Sequence, residues 1–165
     1  MEEQRPFFVY GTLLPGQPNA HLWQKEGWVL GEAVLENGRL HDMGHYPMLV
    51  EAPGMRVQGV VLVINPEAYT AVLARLDALE GYDPANVAAS AYRRVSVDVA
   101  MADGRSLSVW VYMGRAQFVA GKPVVAGGDW AAYTAKNKAV LDAWWQDVDS
   151  VAGLHTTGED GLLSG

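Results

Sequence analysis

From Phe7 to Met113 the chain is a series of short β runs broken by glycine, asparagine and proline, with a single helical segment between them. Phe7-Phe8-Val9-Tyr10 is a strongly apolar strand that starts after Pro6 and stops in the loop Gly11-Thr12-Leu13-Leu14-Pro15-Gly16-Gln17-Pro18-Asn19. Trp28 to Leu40 is strand material, and Asn37-Gly38 predicts a hairpin turn within it. Gly44-His45-Tyr46-Pro47 is a further turn leading into Met48-Leu49-Val50. Val57 to Ile64 is a near-continuous β run, where Gly59 marks a bulge or a close backbone approach. Tyr92–Met101 and Ser106–Met113 make a hairpin about Asp103-Gly104. Val95, Val97 and Val99 alternate there with Ser96, Asp98 and Ala100, which buries one face. Between Gly114 and Gly128 the chain reads mostly as loop, with Gln117-Phe118-Val119 open to an extended form. A second helix is expected from about Asp129 to Trp144 or Trp145, with the paired tryptophans packing it onto the rest.

The first helix carries the most informative residue. Asn65 and Pro66 open it as cap and first helical position. Tyr69, Val72, Leu73, Leu76 and Leu79 recur at helical spacing and define an apolar stripe. At the α-helical rotation per residue, Glu80 falls about 45° from the stripe's centre and Asp77 about 105° away, at its edge. A carboxylate directed where a core residue belongs is costly unless it is paired or used. Gly81 stops the helix, which leaves Glu80 at the negative end of the dipole. Partial burial and the like charge of Asp77 act in the same direction, raising its pKa toward the range of a general base at neutral pH. The alternative is a structural ion pair with Arg93 or Arg94, and this helix alone does not separate the two.

Length and composition narrow the field. The 165 residues suit one compact domain, and hydrophobic residues make up 50% of them, enough for a sizeable core. One domain is expected over 1–148, with a flexible tail over 149–165 that has no periodicity. No apolar run reaches the length of about 20 residues that a membrane span needs. The acidic start Met1-Glu2-Glu3 lacks the pattern of a signal peptide, so a cytoplasmic location is expected. The absence of cysteine excludes disulfides, thiolate metal sites and cysteine nucleophiles. A net charge of −7 without a Lys/Arg cluster argues against nucleic acid or an anionic membrane as partner.

Several motifs fail on inspection. Gly11 and Gly16 have P-loop spacing, but Gln17 and Pro18 replace the lysine and the hydroxyl residue that the mechanism requires. His21, His41, His45 and His155 show neither metal-ligand spacing nor a serine triad, and read as surface or structural residues. Thr12 has no adjacent base to make it a nucleophile. What remains is a strand running into Tyr10-Gly11-Thr12-Leu13. That exit can aim several N–H groups into one concavity and so hold a carboxylate or another anion. An ordinary glycine turn is the plainer reading of the tetrapeptide by itself. Tyr112, near the end of the Val109-Trp110-Val111-Tyr112 strand, reads by itself as a packing residue.

Taken in order, Phe8-Val9-Tyr10-Gly11-Thr12-Leu13, Leu76-Asp77-Ala78-Leu79-Glu80-Gly81-Tyr82, Tyr92-Arg93-Arg94 and Val109-Trp110-Val111-Tyr112 resemble the γ-glutamylcyclotransferase-like family. The likeness is strongest to the branch of γ-glutamylamine cyclotransferases and small bacterial relatives, with Gly128-Asp129-Trp130 a further echo. The resemblance implies an α+β fold, a small mixed β-barrel flanked by helices with a cavity at one mouth. It also implies cyclisation of a γ-glutamyl amine or peptide to 5-oxoproline with release of the amine, and no cofactor or metal. By the same resemblance Glu80 is the general acid/base, Tyr10, Gly11, Thr12 and Leu13 hold the glutamyl head, and Tyr112 lines the pocket. Two competitors share the scaffold: a γ-glutamyl amide hydrolase in which Glu80 activates water, and a non-catalytic small-molecule binding module. The alanine-rich loop from Tyr82 to Ala91 offers no cationic side chain to select a charged leaving group.

Overall fold

The computed structural model describes residues 4–138. Five strands close into a barrel in the order β1-β3-β2-β4-β5: β1 (Phe7–Val9), β2 (Gly27–Asp42), β3 (Pro47–Ile64), β4 (Tyr92–Met101) and β5 (Ser106–Gly114). All pairings are antiparallel except that of β1 with β5, where Phe7 lies beside Trp110, so the barrel is mixed. The helix α1 (Tyr69–Leu79) follows β3 through a 3-10 turn at Pro66–Ala68. Fold class is therefore α+β, as the resemblance implied. The chain separates after Trp130 into two units. The barrel and α1 lie in the first. Residues 130–138 are helical, where the second helix was expected. Trp144, Trp145 and the tail over 149–165 lie outside the described residues. No helix among the described residues is long and apolar enough to cross a membrane.

The two long strands correct the sequence reading at Asn37-Gly38. A two-residue hairpin turn of the expected type needs positive φ at both positions. Only Asn37 has it, at 62°. β2 runs on to Asp42 instead, and the pair faces a bulge: Glu36 pairs with Arg56 and Gly38 with Glu51, so residues 52–55 of β3 stand opposite Asn37 alone. The Asn37 side chain accepts the Gly54 N–H at 3.1 Å and so closes the bulge. The reversal lies one segment later, where the Met43 N–H donates to the Tyr46 carbonyl at 3.0 Å. β3 accordingly joins the two apolar runs that had read as separate strands. Gln117-Phe118 also departs from the extended form, falling in a 3-10 turn over Ala116–Phe118.

Gly59 is a close approach rather than a bulge. A Cβ there would run into the Val9 carbonyl oxygen and the Phe8 ring, so the bare backbone is what lets β1 lie against β3. The core beneath α1 combines Phe7, Val9, Leu62, Tyr69, Val72 and Leu76 with Trp23, which folds back from the loop after β1. Leu79, counted in the apolar stripe of the helix, is 39% exposed, and Asp77 takes a buried place at 8%. The helix also starts differently from expectation. Asn65 makes no side-chain cap bond, and its carbonyl accepts the Ala68 N–H instead.

Candidate active site

Glu80 is the C-cap of α1, and local chemistry fixes it there. The Tyr82 N–H donates to the Asp77 carbonyl at 2.9 Å and the Gly81 N–H to the Ala78 carbonyl at 3.2 Å, the bond pair of a Schellman stop. Gly81 supplies the left-handed φ of 67° that this stop requires. The end of the helix thus points the Glu80 side chain into a cavity of about 580 Å³. Tyr10, Gly11, Thr12, Leu13, Glu80 and Tyr112 all line this one cavity, together with residues that the sequence reading passed over, among them Asn19, Tyr46, Met48 and Tyr92. His45, read as surface or structural, stands at the cavity's edge. His41 is structural: its Nδ1 lies 2.9 Å from the Lys122 carbonyl oxygen.

The loop after β1 is held chiefly through its carbonyls. The Trp23 indole N–H donates to the Leu13 carbonyl at 2.8 Å, and the Leu14 N–H to the Gly11 carbonyl at 3.0 Å. Asn19 takes Thr12 from two sides, its N–H donating to the Thr12 carbonyl at 2.9 Å and its Nδ2 to the Thr12 hydroxyl oxygen at 3.0 Å. The hydroxyl oxygen being occupied as acceptor, its own hydrogen is left to donate. Among the described residues, the N–H groups of Gly11, Thr12 and Leu13 donate to no protein acceptor. Unpaired backbone donors at a withdrawn position are costly and mark a place for an acceptor from outside the chain. Gly11 is required here for closeness, not for a positive φ: a Cβ would lie 2.6 Å from Cγ of Pro47.

The arginine that sequence reading set against Glu80 is present, but it serves the other acid. Arg94 Nε and Nη2 donate to the two oxygens of Asp77 at 3.0 and 3.4 Å. The Tyr112 hydroxyl donates to Asp77 Oδ1 at 2.6 Å. Arg94 and Tyr112 are cross-strand partners on β4 and β5, and the guanidinium also lies 4.6 Å from the centre of the Trp110 ring. One helical acid is thereby locked into the barrel wall and the other is left for the cavity. Burial raises the Glu80 pKa from 4.5 to about 7. Burial alone accounts for the shift, and the like charge of Asp77, expected to add to it, is not among its causes.

Three buried tyrosines surround this acid. Burial, foremost, raises the hydroxyl pKa of Tyr10, Tyr92 and Tyr112, and the charge of Glu80 adds to the shift in each. Their protons are committed to the wall: Tyr10 donates to the Tyr112 carbonyl at 2.6 Å, Tyr92 to the Pro47 carbonyl at 2.9 Å, and Tyr112 to Asp77. Tyr92 was missed as a cavity residue because nothing in Tyr92-Arg93-Arg94 distinguishes the start of a strand from a pocket wall. The arrangement offers, in one cavity, a carboxyl group with a pKa of about 7 and residues whose amide donors are unpaired among the described residues. No group of three or more His, Cys, Asp or Glu among the described residues has the geometry to hold a metal ion.

A small closed barrel with an acid at the C-cap of its helix and a donor loop at the exit of its first strand defines a recognisable class. The chain matches the family model described as "Gamma-glutamyl cyclotransferase, AIG2-like" over residues 7–132, and it belongs to that family. It is 32% identical over 123 residues to the Gamma-glutamylcyclotransferase family protein YtfP of Escherichia coli, covering 74% of this chain and 93% of that one. A 43% identity to the ytfP protein of Citrobacter rodentium is confined to 72 residues, 44% of this chain and 58% of the relative. The solution structure of ytfP from Escherichia coli superposes with a TM-score of 0.54 at 32% identity, covering 76% of this chain and 95% of that one. An AIG2-like protein from Mus musculus superposes with a TM-score of 0.57 at 24% identity, over 74% and 86% of the two chains, and shares the fold.

Proposed function

We propose that this chain is a γ-glutamylcyclotransferase-type enzyme that closes the glutamyl group of a γ-glutamyl amine or peptide to 5-oxoproline and releases the amine. The observation that carries the reading is the pairing, across one cavity, of a partly buried acid with a pKa of about 7 and the acceptor-free amides of Gly11, Thr12 and Leu13. Glu80 as carboxylate takes a proton from the substrate's α-ammonium. The freed α-nitrogen forms a bond to the γ-carbonyl carbon, and the electron pair of the C=O moves onto oxygen. When that oxyanion collapses, the bond to the departing nitrogen breaks and Glu80 returns its proton there. The second proton lost by the α-nitrogen passes to solvent or to the free amine.

The chemistry asks little else of the protein. The nucleophile belongs to the substrate, so holding the glutamyl chain folded supplies much of the acceleration through proximity. Amide donors are suited to the glutamyl carboxylate or to the developing oxyanion. No cofactor enters this scheme, and a cytoplasmic location and a small-molecule substrate belong to the same reading.

Incubation with a panel of γ-glutamyl amides and dipeptides, followed by mass detection of products, tests it. Formation of 5-oxoproline with release of the amine is expected. Glutamate as product would replace cyclisation by hydrolysis, with Glu80 activating water. Binding without turnover of any member would make the chain a binding module.

A further inference from the structure

The cavity has two zones of different chemistry. Its floor is largely buried and polar at chosen points, where Tyr10, Tyr92, Tyr112 and the Gly11–Leu13 loop line the cavity together with Glu80. Its mouth is formed by exposed residues: Tyr46 at 41% and Leu79 at 39%, with Pro18, His45, Gly81 and Ala91. Among the described residues no lysine, arginine or aspartate lines the cavity, and Glu80 is its one carboxylate. Among the described residues, the His45 imidazole and the Tyr46 phenol are the ionisable side chains of the exposed mouth.

If the cyclisation proposed above is the reaction, the polar glutamyl group occupies the floor, within reach of Glu80 and the amides. The departing group then extends outward, against a tyrosine ring, a leucine, a proline and an alanine. From this division we infer that the amine released is an apolar alkyl or arylalkyl monoamine. A leaving group with its own carboxylate, such as an amino acid or peptide, meets no lysine or arginine at the mouth among the described residues. A diamine meets no second carboxylate there among the described residues, because Glu80 is engaged with the reacting nitrogens. Moving either charge from water to an apolar rim without a partner is unfavourable. A hydrocarbon gains by covering the exposed Leu79 and Tyr46 side chains.

The inference rests on the cyclotransferase reading, and the test separates the two. Kinetics of 5-oxoproline release are measured with γ-glutamyl-benzylamide and γ-glutamyl-isopentylamide against γ-glutamyl-β-alanine and γ-glutamyl-1,4-diaminobutane, which share an unactivated alkylamine nitrogen. The apolar pair is expected to have kcat/KM higher by about tenfold or more, chiefly through KM. Leu79→Arg is expected to raise kcat/KM for the β-alanine compound alone, and His45→Gln to leave the order unchanged. Comparable or higher kcat/KM for the carboxylate or diamine compounds overturns the inference while leaving the reaction intact. Should no compound be cyclised, calorimetry of the same four with the wild-type protein decides further. The apolar pair binding tighter by about tenfold keeps the mouth assignment and removes only the reaction, whereas equal or absent binding removes both.

Discussion

Two acids three residues apart on one helix have opposite fates. Asp77 gives both oxygens to Arg94 and accepts the Tyr112 hydroxyl, while Glu80 faces the cavity at a pKa of about 7. Their substitutions should therefore leave opposite signatures. Glu80→Gln keeps the shape and removes the proposed base, so turnover should fall by about 10²–10⁴-fold with substrate binding retained, as steady-state kinetics and calorimetry would show. Equal turnover in the variant refutes the assignment. In the wild type kcat/KM should rise with pH through about 7 as Glu80 loses its proton, and that inflection should vanish in the variant. Asp77→Ala instead strands a largely buried guanidinium, whose side chain is 10% exposed. Its cost should be about 3–5 kcal/mol in chemical denaturation, whatever it does to turnover.

At the level of elements, the site depends on how closely β1 lies against β3. Gly59 and Gly114 both leave no room for a Cβ, but the obstacles differ. At Gly59 it is the Val9 carbonyl oxygen, part of a strand's backbone; at Gly114 it is the Met48 side chain, which has three rotatable bonds. Gly59→Ala should cost about 3 kcal/mol and Gly114→Ala about 2 kcal/mol, because the Val9 backbone cannot give way, whereas Met48, met at its Cγ, can still turn about χ1 although it is buried. Since β1 leads directly into the donor loop, Gly59→Ala should also raise KM among the molecules that remain folded. Denaturation midpoints together with KM for the two variants check both parts. A larger loss at Gly114 would mean that Met48 cannot repack.

For the whole molecule, an acid held partly buried, with no ion-pair partner among the described residues, is a debt against folding. The sign follows from the direction of the shift. Glu80 binds its proton more tightly in the folded state, at about 7, than at its ordinary value of 4.5, so its neutral form costs nothing below that ordinary value. As pH rises from 4.5 to about 7 the folded state loses stability on this account, and above 7 the loss is complete, at about 3 kcal/mol. Glu80→Gln should thus melt several degrees above the wild type at pH 8 and close to it at pH 4. A variant no more stable at pH 8 would show that the carboxylate is better solvated than its position suggests. Loss of activity together with a gain in stability is the expected mark of a functional group kept at the expense of folding.

The chain's own order determined what depends on neighbours in sequence. Helical spacing put Glu80 on the inward side, Gly81 ended the helix just past it, and the apolar run into Tyr10-Gly11-Thr12-Leu13 marked a strand with a special exit. Tertiary structure decided which acid would receive the arginine. Asp77 had read as the edge residue, and Glu80 by its helix alone as either a general base or the partner of Arg93 or Arg94, because Arg94 lies 17 positions from Asp77 and Tyr112 lies 35, and no local pattern encodes a contact across that separation. Asn37-Gly38 was misread for a related reason. Positive φ at an asparagine suits a bulge as well as a turn, and only the register between β2 and β3 selects one. The apolar mouth was also invisible in sequence, since Pro18, Tyr46, Leu79 and Ala91 come from four separate segments that meet only when the barrel closes and α1 docks against it.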